Sequence, residues 1–198
     1  MLNLEVRPAQ PADVAALVAL VNSAYRGDSS RAGWTTEASL LDGQRVDAER
    51  LYETLATPDN TILLHAPTGL PIACVHLERT GTDCYLGMLT VQPTTQAKGL
   101  GRQLLYSAER WAIDRWQSQT MHMTVITQRL ELLAWYERRG YVRTGVCKPF
   151  PYGDTRFGEP RRPDLQFEVL SKRLQHDSST LSPAPCPTAA QRPPDSPP

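Results

Sequence analysis

The sequence has no excess of charge of either sign and no long apolar run. Its 198 residues include 21 basic and 21 acidic side chains, so the formal net charge at pH 7 is zero. A balanced charge provides no general attraction to nucleic acid or to an anionic membrane. No apolar stretch reaches the roughly 20 residues that span a bilayer, and the N-terminus MLNLEVRPAQP is not built like a signal peptide. We therefore expect a cytoplasmic protein without a nucleic-acid or membrane partner.

Cysteine is scarce as well. The four cysteines, Cys74, Cys84, Cys147 and Cys186, form no CxxC pair. The first three lie in apolar, strand-like runs, where a free thiol packs as a small hydrophobic group. We therefore expect neither a disulfide framework nor a metal site, and a reducing compartment suits such a chain.

The composition changes near residue 175. The final 23 residues contain seven of the chain's 17 prolines and show no apolar periodicity. Such a segment cannot bury enough apolar surface to offset the entropy lost on ordering. We predict one domain over residues 1–174 and a disordered tail over residues 175–198. A proline-rich docking peptide is the alternative for the tail.

Apolar periodicity predicts both strands and helices within residues 1–174. A short helix ended by Gly43 is expected within residues 26–43. One long helix joins strands 84–91 and 121–126, so these two strands should be parallel. The pattern indicates an α/β or α+β fold with a mixed sheet. The predicted strands are 2–7, 61–66, 71–79, 84–91, 121–126, YVRTGVC and LQFEVLSK, and the predicted helices are 12–25, 47–57, 99–118 and 130–139.

Two glycines lie between a predicted strand and a predicted helix, in VQPTTQAKGLGRQLL. The stretch is not a P-loop, because GxxxxGK is absent, and not a dinucleotide fingerprint, because Leu104 stands where the third glycine belongs. Free N–H groups at a helix start attract anions. Gly99 and Gly101 allow a close backbone approach, and Lys98 and Arg102 add positive charge. The pattern favours a diphosphate site, and a tight turn that only caps the helix is the alternative.

The same stretch carries a family resemblance. LTVQPTTQAKGLGRQLL resembles motif A of the GNAT superfamily of N-acetyltransferases, which binds acyl-CoA, and ELLAWYERRGYVRTG resembles its motif B. GWTTEA, YLGMLTV and PFP resemble one bacterial subgroup of that superfamily. The resemblance implies a mixed, mostly antiparallel sheet of about seven strands with a splayed parallel pair, flanked by helices on both faces.

The resemblance also implies an activity. Acetyl-CoA would be the cosubstrate, without a metal, and a primary amine of a small molecule or a peptide would attack the thioester directly. A non-catalytic acyl-CoA-binding module with a regulatory or interaction role is the alternative. Either a monomer or a homodimer is expected.

The cofactor residues follow from the resemblance. The backbone of residues 89–91 would bind the acetyl carbonyl and the pantetheine arm, in the gap between the splayed strands. Residues 96–102 would cradle the pyrophosphate. Gly87, inside a strand, predicts a bulge or a close backbone approach. The implied cofactor-binding set is Leu89, Thr90, Val91, Gln96, Ala97, Lys98, Gly99, Leu100, Gly101 and Arg102.

Tyr136 is the predicted proton donor for the departing thiolate. It matches a tyrosine that motif B often places near the sulfur, and a core position with its hydroxyl at the surface is the alternative. Arg129 stands where family members often have an asparagine. That asparagine's cofactor contact therefore cannot be carried over, although an arginine there could meet a CoA phosphate.

The sequence gives fewer indications of the general base and the acceptor pocket than of the cofactor site. Glu37, in GWTTEA, is the leading candidate for the base, ahead of His76 and Glu78, which share one strand face. Acidic residues between 37 and 53 favour a cationic amine, and a solvated helix face explains them equally well. The residues predicted to wall the acceptor pocket are Trp34, Arg31 and Tyr25, with Tyr52 as a further candidate.

Overall fold

The computed structural model describes residues 4–175, and the predicted tail beyond Gln175 lies outside this range. The helices of the described chain are α1 (Val14–Tyr25), α2 (Gly27–Ser30), α3 (Ala48–Ala56), α4 (Leu100–Trp116) and α5 (Leu130–Glu137). Its strands are β1 (Arg7–Pro8), β2 (Leu41–Asp42), β3 (Asn60–His65), β4 (Ala73–Thr80), β5 (Asp83–Val91), β6 (Thr120–Ile126), β7 (Val142–Pro149), β8 (Glu159–Pro160) and β9 (Gln166–Arg173). Within residues 4–175, no helix is long and apolar enough to cross a membrane.

A seven-stranded mixed sheet forms the centre of the protein, in the order β1-β3-β4-β5-β6-β9-β7. The only parallel pair among its described strands is β5 with β6, and every other pair is antiparallel. A separate two-stranded ribbon pairs β2 with β8. The predicted fold class is therefore confirmed, including the parallel pair on either side of the long helix α4.

Strands β5 and β6 separate soon after they begin. Their pairing runs only from Asp83 opposite Thr120 to Tyr85 opposite His122. The other edge of β5 bulges, because two residues, Met88 and Leu89, lie opposite the single residue Val75 of β4. Met88 has a φ of 52°, a left-handed conformation that is rare for a residue with a side chain and that concentrates at functional sites. The predicted bulge therefore occurs one residue after Gly87.

The bulge keeps apolar side chains on one face of β5. Cys84 and Leu86, which have even residue numbers, belong to the core under α4 and α5. Leu89 and Val91, which have odd residue numbers, belong to the same core. In a regular strand, residues of opposite parity point to opposite faces. The extra residue therefore returns the end of β5 to the same core.

Helices cover both faces of the sheet. The side chains of β3 and β4 alternate between the two cores, as period-two strands require. Fully buried members of the core under α4 and α5 include Leu63, Val75, Leu77, Leu104 and Leu133, and those of the core under α1 and α3 include Leu17, Val21, Ile62, Leu64 and Cys74.

Several predicted elements need correction. The strand over residues 2–7 is reduced, within the described chain, to the pair Arg7–Pro8, because only these residues pair with β3. The short helix within residues 26–43 ends at Ser30, and Gly43 instead follows β2. Cys74 and Cys84 are buried free thiols as predicted, and burial raises the pKa of both to about 12. Cys147 is exposed on the edge strand β7, so its prediction as a packed residue is wrong.

A buried ionic network ties α4 to β9. Lys172 Nζ donates to both carboxylate oxygens of Glu109 at 2.8 Å, and Tyr141 Oη donates to Glu109 Oε1 at 3.0 Å. Glu109 is 9% exposed and Tyr141 is 1% exposed. Burial, followed by the Glu109 charge, raises the pKa of Tyr141. Each member therefore depends on the others to satisfy its polar atoms.

Replacing Glu109 with alanine should lower the free energy of unfolding by about 2 kcal/mol, because it removes the partner of the Lys172 ammonium and leaves the Tyr141 hydroxyl with the weak acceptor Met121 Sδ. The control is Asp114→Ala on the same helix, which breaks an exposed i,i+4 pair with Arg110 and should cost at most about 0.5 kcal/mol. Urea unfolding followed by circular dichroism measures both changes. Equal losses in the two variants would contradict a stabilising role for the network.

Candidate functional site

Two cavities meet where β5 and β6 separate. The larger, of about 560 Å³, lies beside the glycine loop, and the smaller, of about 130 Å³, lies on the other side of the gap. Four residues line both cavities: Tyr25, Leu89, Leu132 and Tyr136. The larger volume lies within the roughly 300–1,000 Å³ that is usual for ligand pockets. The arrangement allows two ligands to approach one another from opposite sides.

The glycine loop forms one wall of the larger cavity. Gly99 caps α4 with a φ of 81°, a conformation that glycine adopts without strain. A Cβ at Gly101, which lines this cavity, would lie 3.7 Å from Trp135 Cζ2 and Val91 Cγ2, an ordinary contact distance. The first turn of α4 contains no acidic side chain, and while the N–H groups of Arg102 and Gln103 donate to Gly99 O, those of Leu100 and Gly101 precede any helical acceptor. This loop is suited to an anion.

The side chain of Gln96, beside the larger cavity, bridges two segments of the chain. Its Oε1 accepts from Trp34 N at 2.9 Å, and its Nε2 donates to Thr35 Oγ1 and to Val91 O, each at 2.9 Å. Gly33 has no room for a side chain, because a Cβ there would lie 2.7 Å from Gln96 Oε1. The amide therefore joins the segment 33–35 to the end of β5.

Arginines gather at the mouth of the larger cavity. Arg102, Arg138 and Arg139 line it, and Arg139 stacks at 3.5 Å over the ring of Trp135. Burial, followed by the charges of Arg138 and Arg102, lowers the pKa of Arg139. Motif B contains both Arg138 and Arg139, yet our sequence reasoning assigned them no role. The predicted Lys98 is exposed and does not line the cavity.

The other predicted cofactor residues surround the loop and the bulge. Thr90 is fully buried, and its hydroxyl donates to Met88 O at 2.9 Å, within the bulge. Ala97 has a φ of 67° and lines the larger cavity with Gly99 and Gly101. Leu100 packs against the main core. The loop therefore presents backbone and arginine side chains to the cavity.

Tyr136 lies at the boundary between the cavities. It is 5% exposed, and burial raises its pKa, so the hydroxyl stays protonated at neutral pH. The rings of Trp135 and Tyr141 contact it edge to face, at centroid distances of 4.9 and 5.7 Å. Its hydroxyl makes no hydrogen bond to any residue in the range 4–175. The geometry holds the ring in place while the proton stays available.

Tyr25 also lies at this boundary. Its hydroxyl donates to Leu89 O at 2.6 Å, which fixes the carbonyl at the bulge. Burial, followed by the Glu37 charge, raises the pKa of Tyr25 to about 12. The predicted acceptor residue therefore contacts the strand that was predicted to bind the acetyl group.

Glu37 lies in the smaller cavity, between two arginines. Arg26 Nη1 donates to Glu37 Oε2, and Arg129 Nη1 donates to Glu37 Oε1 at 3.4 Å. Arg26 is 5% exposed, and it lines the same cavity. Arg129 therefore contacts Glu37 in the smaller cavity, and it does not line the cavity beside the glycine loop. Arg26 was not predicted as a site residue, because none of the sequence motifs includes it.

The other residues predicted for the acceptor pocket or as the base do not all lie at the gap between the strands. Trp34 lines the larger cavity and packs against Trp135 at a centroid distance of 5.9 Å, so it lies on the loop side of the gap. Arg31 is 60% exposed, contacts Asp28 and lines neither cavity. Tyr52 is 50% exposed. His76 Nε2 contacts Asn60 Oδ1 at 2.7 Å, and burial, followed by the charge of Arg50, lowers its pKa to about 4.

Solved structures of similar fold cover most of the described chain. The ribosomal-protein-S18-alanine N-acetyltransferase from Escherichia coli has a TM-score of 0.62 at 14% identity, over 89% of this chain and 97% of that one. A ribosomal-protein-alanine N-acetyltransferase from Brucella melitensis has a TM-score of 0.64 at 18% identity, over 86% and 100%. The PaiA N-acetyltransferase from Thermoplasma acidophilum, solved with coenzyme A, has a TM-score of 0.59 at 15% identity, over 85% and 98%.

At these identities the structures establish a shared fold. No curated protein matches the chain. The family model described as an acetyltransferase (GNAT) domain matches residues 33–149, which is more than half of the chain and includes both the glycine loop and the YERRGY stretch. The chain belongs to the GNAT family of acetyltransferases.

Proposed function

We propose that the protein is an N-acetyltransferase that moves the acetyl group of acetyl-CoA to a primary amine. The meeting of two cavities at the gap between β5 and β6 carries this proposal. One cavity has the features of a diphosphate site, and the other is a separate entrance for an acceptor. Tyr136 and the bulge at Leu89 lie where the two meet.

The larger cavity fits the cosubstrate by charge and by backbone. The pyrophosphate would lie against the start of α4, where helix N–H groups, Arg102 and Arg138 favour an anion. The edge of β5 beyond Tyr85 is not paired with β6. Although the carbonyls of Met88, Leu89 and Val91 already accept from side chains, the backbone groups of β5 that β6 leaves unpaired could meet the amides of a pantetheine arm, which would add to the sheet as a strand does.

The chemistry requires few groups from the protein. Acetyl-CoA supplies an activated thioester. The neutral amine attacks the carbonyl carbon, a C–N bond forms and the C–S bond breaks, so the thiolate needs a proton and the amine must lose one. Tyr136 donates the proton to the thiolate. The tyrosinate that this leaves takes a proton from solvent after the products depart, which restores the enzyme for the next turnover.

The group that accepts the amine's proton stays a prediction. Glu37 is the leading candidate, and its carboxylate is shared by Arg26 and Arg129. His76 is a weaker candidate for the general base, since a pKa of about 4 makes it a poor base at neutral pH. A water relay from the cavity to Glu37 is consistent with the position of that residue.

Acetyl-CoA should raise the melting temperature of the protein, because a ligand at about 100 times its Kd stabilises the native state by roughly 2.7 kcal/mol. NADH and ATP should stabilise far less. Release of free thiol from acetyl-CoA, screened over a panel of primary amines, tests the transfer itself. Equal stabilisation by NADH would refute the cosubstrate, and tight acetyl-CoA binding without turnover on any amine would favour the non-catalytic module.

A further inference from the structure

The smaller cavity has an unusual balance of charge. Three arginines, Arg26, Arg45 and Arg129, line it, and Glu37 is the only acidic side chain among its described lining residues. The other lining residues are apolar, aromatic, hydroxyl-bearing or glycine. The described lining residues therefore carry a net formal charge of +2.

The arginines differ in their partners. Glu37 already binds both Arg26 and Arg129, so a single carboxylate serves two guanidinium groups. Arg45 makes no ion pair with any carboxylate in residues 4–175. An uncompensated cation in a confined site is stabilised when an anion enters and forms charge-assisted hydrogen bonds. Arg45 is thus the arginine that is available to a ligand.

Arg45 is held firmly at its position. Its backbone N–H donates to Asn22 Oδ1 at 2.7 Å, and Asn22 Nδ2 donates to Val46 O at 2.9 Å, which ties this segment to α1. The guanidinium lies over the ring of Tyr25, 5.7 Å from its centroid. Tyr25 in turn binds Leu89 O at the bulge. The ring of Tyr25 therefore lies between the Arg45 guanidinium and the expected position of the thioester.

The smaller cavity suits a small acceptor. Its 130 Å³ is well below the roughly 300 Å³ at which drug-sized pockets begin. Three phenylalanines line it: Phe150, Phe157 and Phe167. The ring centroid of Phe150 lies 5.5 Å from that of Phe167 and 6.5 Å from that of Phe157. These rings form an apolar wall beside the charged groups. A small molecule with an acidic group and a modest apolar part suits this lining.

We propose that the acceptor is a small amine that also carries a carboxylate, as an α-amino acid does, and that Arg45 binds this carboxylate. The inference rests on the proposed function and names the acceptor class for the same site. The guanidinium fork matches a carboxylate through two parallel N–H donors. Binding the acid at Arg45 directs the amine towards Tyr25 and Leu89, where the cavities meet. A cationic amine without an acid would lack this contact, contrary to the cationic acceptor that the acidic residues between 37 and 53 suggested.

The test compares glycine, L-alanine, L-methionine and L-phenylalanine with their primary carboxamides, using free thiol release from acetyl-CoA. We expect kcat/KM to be about 10- to 100-fold higher for the acids, since one charge-assisted pair distinguishes each acid from its amide. Arg45→Gln should raise KM for the acids by a similar factor and leave KM for the amides unchanged. Arg45→Lys should restore part of the preference, and Arg79→Gln, at an exposed position outside both cavities, is the control.

Acetylation of acids and amides alike, or an unchanged preference in Arg45→Gln, would overturn the inference while leaving the proposed function intact. So would a preference for aminoalkylphosphonates, or acetylation of peptides alone. If no amine is acetylated, the proposed function fails, and calorimetric titration of the same amino acids into the CoA-loaded protein decides this inference separately. Binding of the acids that is lost in Arg45→Gln supports it, and absence of binding refutes it.

Discussion

Gly101→Asp should reduce the affinity for acetyl-CoA by at least about 100-fold while the protein stays folded. The reason is partly steric and partly electrostatic, because the carboxylate would enter the larger cavity where the diphosphate is expected and oppose its charge. Folding should survive, since a Cβ at this position lies 3.7 Å from its nearest neighbours, an ordinary contact distance. Calorimetric titration with acetyl-CoA and circular dichroism of the free protein measure the two properties.

Two companion variants separate the contributions at Gly101. Gly101→Ala adds only a methyl group and should weaken binding much less, while the helix gains about 0.5–1 kcal/mol from the better helix former. Gln103→Asp adds the same charge in the same helical turn, at a residue that does not line the cavity, and should leave affinity within a few fold. A folded Gly101→Asp protein with wild-type affinity would show that the loop is only a turn.

Tyr136→Phe should lower kcat by about 100-fold or more, while the affinity for acetyl-CoA barely changes. The substitution keeps the aromatic ring and its contacts with Trp135 and Tyr141 and removes only the hydroxyl proton. Because this hydroxyl makes no hydrogen bond within residues 4–175, its loss should cost little stability. Steady-state kinetics on the best amine, together with thermal unfolding, measures both effects.

The control for Tyr136 is Tyr106→Phe on the exposed side of α4, which should have the kinetics of the wild type. Tyr106 is 48% exposed and lines neither of the two cavities at the gap. A Tyr136→Phe enzyme with an unchanged kcat, measured where the chemical step limits the rate, would remove this residue from the mechanism. A large loss of stability without a loss of rate would assign it to the core.

Local signals predicted most of the fold. Helices α1, α3, α4 and α5 repeat apolar residues at helical spacing, and their ends follow short-range rules, as when Asp47 accepts from Arg50 N at 2.8 Å to cap α3. The parallel pairing of β5 with β6 followed from the single helix between them. The strand at β1 was predicted too long, and β2 and β8 were not predicted, because a two-residue strand has no periodicity to read.

The sequence by itself determined the order of the main elements, the glycine loop after β5 and the tyrosine of YERRGY, since each depends on residues close together in the chain. Only the tertiary structure decided what surrounds them. The position of the bulge at Met88, the hydrogen bond from Trp34 N to Gln96, and the gathering of Arg26, Arg45 and Arg129 in one cavity with Glu37 depend on segments as far as about 100 residues apart. Such contacts arise from the packing of the loop 26–46 against the open end of the sheet, and no local periodicity or spacing records them.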